Sequence, residues 1–545
     1  MDSIQVNNVT YWLPENSSDV MQLVNDAIAA NEIICMRGSA HSFPLIGNLE
    51  KNSTGKKYKY VMLSKLRKVT IHADTQTVTV EGGCNLGLDP WDPTCISTLE
   101  NSLLYQLDQQ GLAIPDLGGI THQSVGGFLS TASSGGSTTF SFEDALIGID
   151  LITTENGQAT LSSFSKPATF DPDDPFYGVG VASLGVMGII VSATFQCVKK
   201  FFVAGQETTT YTSGCEVDLF GPGTADKPSL QQFMQQVHYT RLMWWPQKGV
   251  EKMVVWKAWQ SDEAGAKMWA WNISPQSTIH LDYSKVSLKP YREVPYVGGT
   301  DPTLENPGTP GTPLVMTMAA GLLFSLMGTW PNWLLKSLGD TDEYRLIKGS
   351  VEGLFYPTIL PSILDLFVVL NDEKNPPQRF ADIWYNGIPM DNQMSDRLFP
   401  VWFTELWIPI EQSEAVMNTL KTFYDQGPEH TGPFSCEIYA AKSNSFWLSP
   451  SYQTDVIRID VFWFAHSNAD PTAFFQQFWN LLQPYSYRPH WGKFLPAGDG
   501  PLGVSYLQSL YPKWNQWMQL REKLDPCQVF LNDYWRSHLA IPEKK

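Results

Sequence analysis

Apolar residues recur at helical spacing from Ser18 to Ala30. Val20, Leu23, Val24, Ala27 and Ile28 fall on one face, and Ser17 or Ser18 is placed to cap the first turn. The period then changes. Ile33-Ile34-Cys35-Met36 reads as a short buried strand, and Val61-Met62-Leu63, Val69-Thr70-Ile71 and Thr77 to Glu81 read as further strands, the last ended by Gly82-Gly83. A second helix is expected from Ser97 to Gln110, with Leu99, Leu103, Leu104 and Leu107 facing inward and Gly111 as its stop. Ala145 to Ile152 and Gly157 to Ser162 predict a hairpin. Val181 to Val191 places a glycine-interrupted helix end before a strand that runs to about Val198. Cys436-Glu437-Ile438-Tyr439 predicts a strand on which Glu437 and Tyr439 share a face, and Ile459 to Phe464 predicts the next strand. Helices interspersed among short strands give an α+β order.

A chain of 545 residues exceeds one core and predicts two or three domains. Near residue 204 the composition shifts towards Trp, Tyr, Phe and Pro, which places a second domain over 204–497. The net charge of −18 argues against nucleic-acid binding and against docking on an anionic membrane. Seven scattered cysteines, with no CxxC and no His/Cys cluster at ligand spacing, read as reduced thiols and predict no metal site. The N-terminus shows no basic and apolar leader pattern, so a cytoplasmic location is expected. The apolar run Leu314 to Met327 is too short to span a bilayer and reads as a core helix or a surface patch. Nothing in the pattern sets the oligomeric state.

Two glycine- and serine-rich stretches change the picture. Arg37-Gly38-Ser39-Ala40-His41-Ser42-Phe43 follows the apolar strand, and its backbone N–H groups can form a nest for an anion. Asp116 to Ser137 has little bulk over some twenty residues, yet Ile120, Val125, Phe128 and Leu129 punctuate it. A flexible linker would lack those residues. The stretch reads as a tight surface loop pair or as backbone brought close to a flat or phosphorylated ligand, and the second reading is preferred.

These blocks resemble one family. RGSAHSF at 37–43 resembles the pyrophosphate loop of the FAD-linked oxidases of the vanillyl-alcohol oxidase type, in which a histidine carries the flavin. GGITHQSVGGFLSTASSGG at 118–136 resembles their second FAD loop. SLGVMGIIVSATF at 183–195 resembles the block that closes over the adenine half. RPHWGK at 488–493, with the later FLNDY at 530–534, is similar to the C-termini of aldonolactone and alditol oxidases and, in a related pattern, of flavin-attached cholesterol oxidases. The resemblance implies a two-domain α+β fold. An FAD-binding domain over 1–203 is rejoined by the C-terminal segment 498–545, and an antiparallel-sheet substrate domain covers the flavin.

By that resemblance FAD is the cofactor. Arg37, Gly38, Ser39, Ala40, His41, Ser42 and Phe43 are candidate FAD contacts. So are Gly119, Gln123, Ser124, Gly127, Ser130, Thr131, Gly188, Ile189, Ile190, His490 and Lys493. His41 is the expected site of an 8α-histidyl bond, against the plainer reading that it lies beside a noncovalent flavin. Alcohol oxidation requires a hydride to leave carbon while the hydroxyl loses a proton, and a cation stabilises the reduced flavin. Lys493 is the candidate cation, and Glu437 and Tyr439 are candidate catalytic groups. The resembling oxidases carry Glu-x-Arg where this chain has Glu437-Ile438-Tyr439. Loss of that fixed cation disfavours a small, highly polar polyol or lactone. Ser124, Glu405, Asp460 and Phe462 are candidates for the substrate pocket, with Ser124 alternatively on the flavin. The expected function is a flavoprotein oxidase with covalent FAD that oxidises a small-molecule CH–OH group and returns the electrons to O2 as hydrogen peroxide. The alternatives are a dehydrogenase using a quinone or cytochrome, and a flavin-binding protein without turnover.

Overall fold

Asn16, one residue before the expected caps, starts the first helix. Its side chain accepts the Asp19 N–H at 3.0 Å, and the helix runs Ser17–Ala30 with Val20, Leu23, Val24 and Ala27 buried. The computed structural model describes residues 1–42, 55–270, 288–289, 361–362, 364, 368–392, 401–432, 435–464 and 471–543. Phe43, the Pro302 to Pro313 loop and the apolar run Leu314 to Met327 lie outside the described residues.

Among the described residues the N-terminal part builds two sheets. A mixed four-stranded sheet has the order Asp2–Val6, Val9–Leu13, Tyr58–Met62, Ile33–Arg37. An antiparallel sheet follows, in the order Val69–His72, Thr77–Glu81, Ile189–Gln196, Leu146–Thr153, Thr160–Ser165. The expected hairpin is present as its last two strands. The helix expected from Ser97 forms only over Leu103–Gln109, and Leu99 is exposed. Polar side chains account for the difference. The Asp92 carboxylate accepts the N–H groups of Thr94, Ile96 and Ser97, and Thr98 and Asn101 bond each other's backbone, which holds the segment as a loop. The helix before the glycine-rich block is likewise short, Phe176–Val179. Val198 leaves the sheet to pair with Ala113.

The second half builds an antiparallel sheet of eight strands among the described residues. Its central order is Lys252–Ser261, Tyr239–Trp245, Cys436–Ala441, Val456–Phe464, Val401–Pro409. Strand alternation sorts its two faces. Leu242, Ile438, Ile459 and Leu406 stand in register on one face and belong to an apolar cluster with the helices Ser413–Tyr424 and Pro471–Leu482. Phe474, Phe475, Phe478, Trp479 and Leu482 of the latter helix are buried there, at about 1.5–3 kcal/mol per large side chain. On the other face two rows run across the strands: Met243–Glu437–Asp460–Glu405 and Arg241–Tyr439–Arg458–Trp407.

The chain end returns to the N-terminal part. Thr154 Oγ1 donates to Asp525 Oδ1 at 2.8 Å, and the Ile34 N–H donates to the Val529 carbonyl at 2.8 Å. No helix among the described residues is long and apolar enough to cross a membrane.

Candidate active site

The first glycine-rich loop leaves the strand Ile33–Arg37 and turns at Ala40, whose φ of 62° lies in the left-handed region. Ser39 Oγ donates to the His122 carbonyl at 2.7 Å, and Asn85 Nδ2 donates to the same oxygen at 2.8 Å, so the two glycine-rich loops are tied together. A long groove runs beside them. It is lined by Arg37, Gly38, Ser39, Ala40, His41 and Ser42, by Gln123, Ser124, Gly127, Ser130 and Thr131, and by Gly188, Ile189 and Ile190. The C-terminal residues Phe530, Asn532 and Trp535 also line it. Two glycines show how closely backbone packs under it: a Cβ at Gly83 would meet the Leu63 carbonyl oxygen at 1.8 Å, and one at Gly82 the Ile190 oxygen at 2.2 Å.

Beyond the groove lies a second cavity of about 360 Å³. Ala40, His41 and Gln123 line both spaces. The inner wall of the cavity is the polar face of the large sheet, with Glu405, Glu437, Tyr439, Arg458 and Asp460. Val401, Trp402, Phe403, Phe462 and Phe494 supply an apolar part.

Gly119, His490 and Lys493, read as flavin contacts, line this second cavity and are absent from the lining of the groove. Ser124 does the reverse. It lines the groove, and its Oγ accepts the Gly127 N–H at 3.3 Å as the cap of the helix Val125–Ser130, which places it on the side of its alternative reading, beside the flavin loops.

Burial pushes the His41 imidazole down to about 4, with the Lys493 charge acting the same way, so the ring is neutral at neutral pH. His490 is pushed down to about 4, chiefly by burial, and its Nδ1 accepts the Gly492 N–H at 3.0 Å. Lys493 places its ammonium 3.9 Å from the centre of the Phe403 ring. Burial also raises Glu405, but Arg458, His490 and Lys493 outweigh it and hold that carboxyl below its usual range. The Arg458 Nε donates to Glu405 Oε1 at 2.7 Å, and its Nη1 donates to the carbonyls of Ser134 and Gly135 at 2.9 Å.

Two arginines flank Tyr439. Arg458 stands directly opposite it on one neighbouring strand, with its guanidinium carbon 4.8 Å from the ring centre. Arg241 stands opposite on the other. The cation absent from position 439 is therefore present from across the strands, and the expectation that this part of the pocket has lost its fixed positive charge is corrected. Arg458 was legible in principle. Its strand starts at Val456, so Arg458 and Asp460 alternate onto one face, and starting the strand at Ile459 hid it. Asp391 carried no sequence signal. It accepts the Tyr439 hydroxyl at 2.8 Å, pairs with Arg241, and its N–H donates to the Gly119 carbonyl at 2.8 Å.

The architecture matches solved structures over nearly the whole chain. The cholesterol oxidase of Brevibacterium sterolicum superposes with a TM-score of 0.67 at 15% identity, covering 97% of this chain and 94% of the other. The fold is that of the FAD-linked oxidases of the vanillyl-alcohol oxidase type. Residues 354–538 match the D-arabinono-1,4-lactone oxidase family, a segment that contains Glu405, Glu437, Tyr439, Arg458, Asp460 and Lys493. The L-gulonolactone oxidase of Scyliorhinus torazame is 20% identical over 96% of this chain and 93% of its own length. The L-gulono-1,4-lactone dehydrogenase of Mycobacterium tuberculosis is 31% identical over 166 residues, 28% of this chain and 37% of the relative.

In an FAD-linked oxidase fold the groove suits the cofactor. Its glycines pack directly on neighbouring backbone, and the left-handed turn at Ala40 belongs to the kind of loop whose N–H groups can form a nest for a pyrophosphate. The Arg37 Nε is buried there without a hydrogen-bond partner among the described residues, a donor left for a ligand.

Proposed function

We propose that this chain is a flavoprotein oxidase that holds FAD covalently through His41 and oxidises a CH–OH group. It is an FAD-dependent oxidoreductase acting on CH–OH donors. The observation that carries the reading is the position of His41 in the wall shared by groove and cavity. A neutral imidazole there carries the ring-nitrogen lone pair that an 8α-histidyl bond requires. Bound FAD would supply a hydride acceptor, and O2 would be the acceptor that leaves as hydrogen peroxide.

The chain's own residues do the rest. Carboxyl groups on the sheet face take the hydroxyl proton, Lys493 sets a positive charge beside the redox centre, and the aromatic residues limit water. The cavity joins a charged inner wall to an apolar part, which suits a hydroxylic head on a less polar body. The arginines beside Tyr439 keep sugar lactones, the substrates named for the relatives, within this class alongside other alcohols.

Acid precipitation of the purified protein tests the covalent claim. Yellow colour should stay with the pellet, and His41→Ala should release it to the supernatant. Colour in the wild-type supernatant would overturn the covalent bond, and no flavin after adding FAD would overturn the whole reading. The segment shared with the mycobacterial dehydrogenase supports a second reading, a dehydrogenase on the same fold. Steady-state oxygen consumption with a turnover substrate separates the two.

A further inference from the structure

Three carboxyl groups stand side by side across three neighbouring strands. Asp460 is in register with Glu405 on one side and with Glu437 on the other. All three are buried and line the cavity. Directly opposed residues of a sheet bring their Cβ atoms to about 4.5–5.5 Å, and like charges at that spacing repel. In a water-poor site the row cannot be fully ionised.

The counter-charges are shared unequally. Glu405 is well supplied, with the Arg458 Nε at 2.7 Å and the Trp407 indole N–H at 2.8 Å. Glu437 has Arg241 at 3.6 Å, but that guanidinium also serves Asp391 and, at 3.7 Å, Glu207. Tyr439, the other titratable group of that strand on this face, donates a hydrogen bond to Asp391 at 2.8 Å and also acts on Glu437. Asp460 is faced by Arg458 of its own strand and by Lys493, yet its Oδ1 is buried with no hydrogen-bond partner among the described residues. A buried carboxyl oxygen left unmatched beside two other carboxyls is costly as an anion and economical as a partner in a shared proton.

We propose that Asp460 and Glu437 are a proton-sharing catalytic pair that holds one proton in the resting enzyme and takes the hydroxyl proton of an uncharged alcohol. The proposal rests on the reading of the cavity as a CH–OH oxidation site. The O–H bond breaks and its proton goes to the ionised member. The C–H bond breaks and its hydrogen leaves with two electrons for the flavin, so the alcohol carbon becomes a carbonyl. The proton returns to solvent from the doubly protonated pair. Burial, then the neighbouring Glu405, raise Asp460 well above the usual carboxyl range. Burial and Asp391 raise Glu437 to about 8. Both shifts favour the protonated form, and two carboxyls side by side in register resist double ionisation, which is the condition a shared proton requires. The resting pair carries one negative charge, so a substrate bearing its own carboxylate is disfavoured.

Infrared difference spectra of the flavin-loaded protein read the shared proton without turnover. At neutral pH the wild type should show the deuterium-sensitive carbonyl stretch of a protonated carboxyl that changes in both Asp460→Asn and Glu437→Gln. Any band from the other buried acids, Asp116 and Glu143, should be touched by neither substitution. A band lost in only one variant, or in neither, overturns the sharing. Flavin reduction by substrate should fall on the alkaline side as the shared proton leaves, because a doubly ionised pair repels the negative charge developing on the substrate oxygen. Asp460→Asn should remove that alkaline limb, and an unmoved limb overturns the catalytic role. If Asp460→Asn does not fold, Glu437→Gln carries the same comparison from the other member of the pair. Absence of bound flavin would overturn the proposed function, whereas the infrared result judges the pair itself.

Discussion

Lys493 reaches the cavity from the loop after the strand Arg488–Pro489, with its ammonium against Phe403 and its charge felt by His41, Glu405 and Asp460. A cation at that point stabilises negative charge on a reduced cofactor. Lys493→Met should therefore slow flavin reduction by about 10²-fold. It should leave the acid-stable yellow colour intact, and stopped-flow absorbance with substrate under anaerobic conditions checks this. Arg458 works differently. It neutralises Glu405 and also bonds the Ser134 and Gly135 carbonyls of the second glycine-rich loop. Arg458→Ala should strand a buried carboxylate and cost about 3–5 kcal/mol, read by chemical denaturation.

At the scale of elements, periodicity made the helix Ser17–Ala30, the strand Ile33–Arg37 and the strand Cys436–Ala441 legible within a residue or two. It failed where side chains compete with the backbone. The Asp92 carboxylate takes three N–H groups that a helix from Ser97 would leave to carbonyls. The site divides the same way. Small residues in the loops at 37–42 and 123–131 pointed to close backbone packing, and both loops line one groove. Arg241 and Asp391 stayed hidden because their place depends on cross-strand register and on a loop arriving from far along the chain, which no local pattern encodes. Strand register also explains why a tyrosine at 439 does not empty the pocket of positive charge: neighbours at 241 and 458 point to the same face. Asn16→Ala, which removes only a helix cap, should cost about 1 kcal/mol in thermal denaturation and leave flavin content unchanged.

For the whole molecule, buried acids make stability depend on pH. Burial raises Glu143 from 4.5 to about 7, while its carboxylate accepts the Ser141 hydroxyl at 2.7 Å. Between those two values the folded chain holds a proton that the unfolded chain has released, so this group's contribution falls as pH rises through the window. Glu143→Gln should flatten that fall, by about 3 kcal/mol at most, in melting temperatures taken across the window. A different consequence follows from the wall that Ala40, His41 and Gln123 share between groove and cavity. With flavin in the groove and substrate in the cavity, as proposed above, each would border the other's space, so the two binding equilibria would be linked, and linkage is reciprocal. In His41→Ala, where flavin is free to exchange, a substrate analogue should tighten flavin binding by the same factor by which flavin tightens the analogue. Equal factors in the two titrations would make the shared wall a thermodynamic conduit as well as a partition.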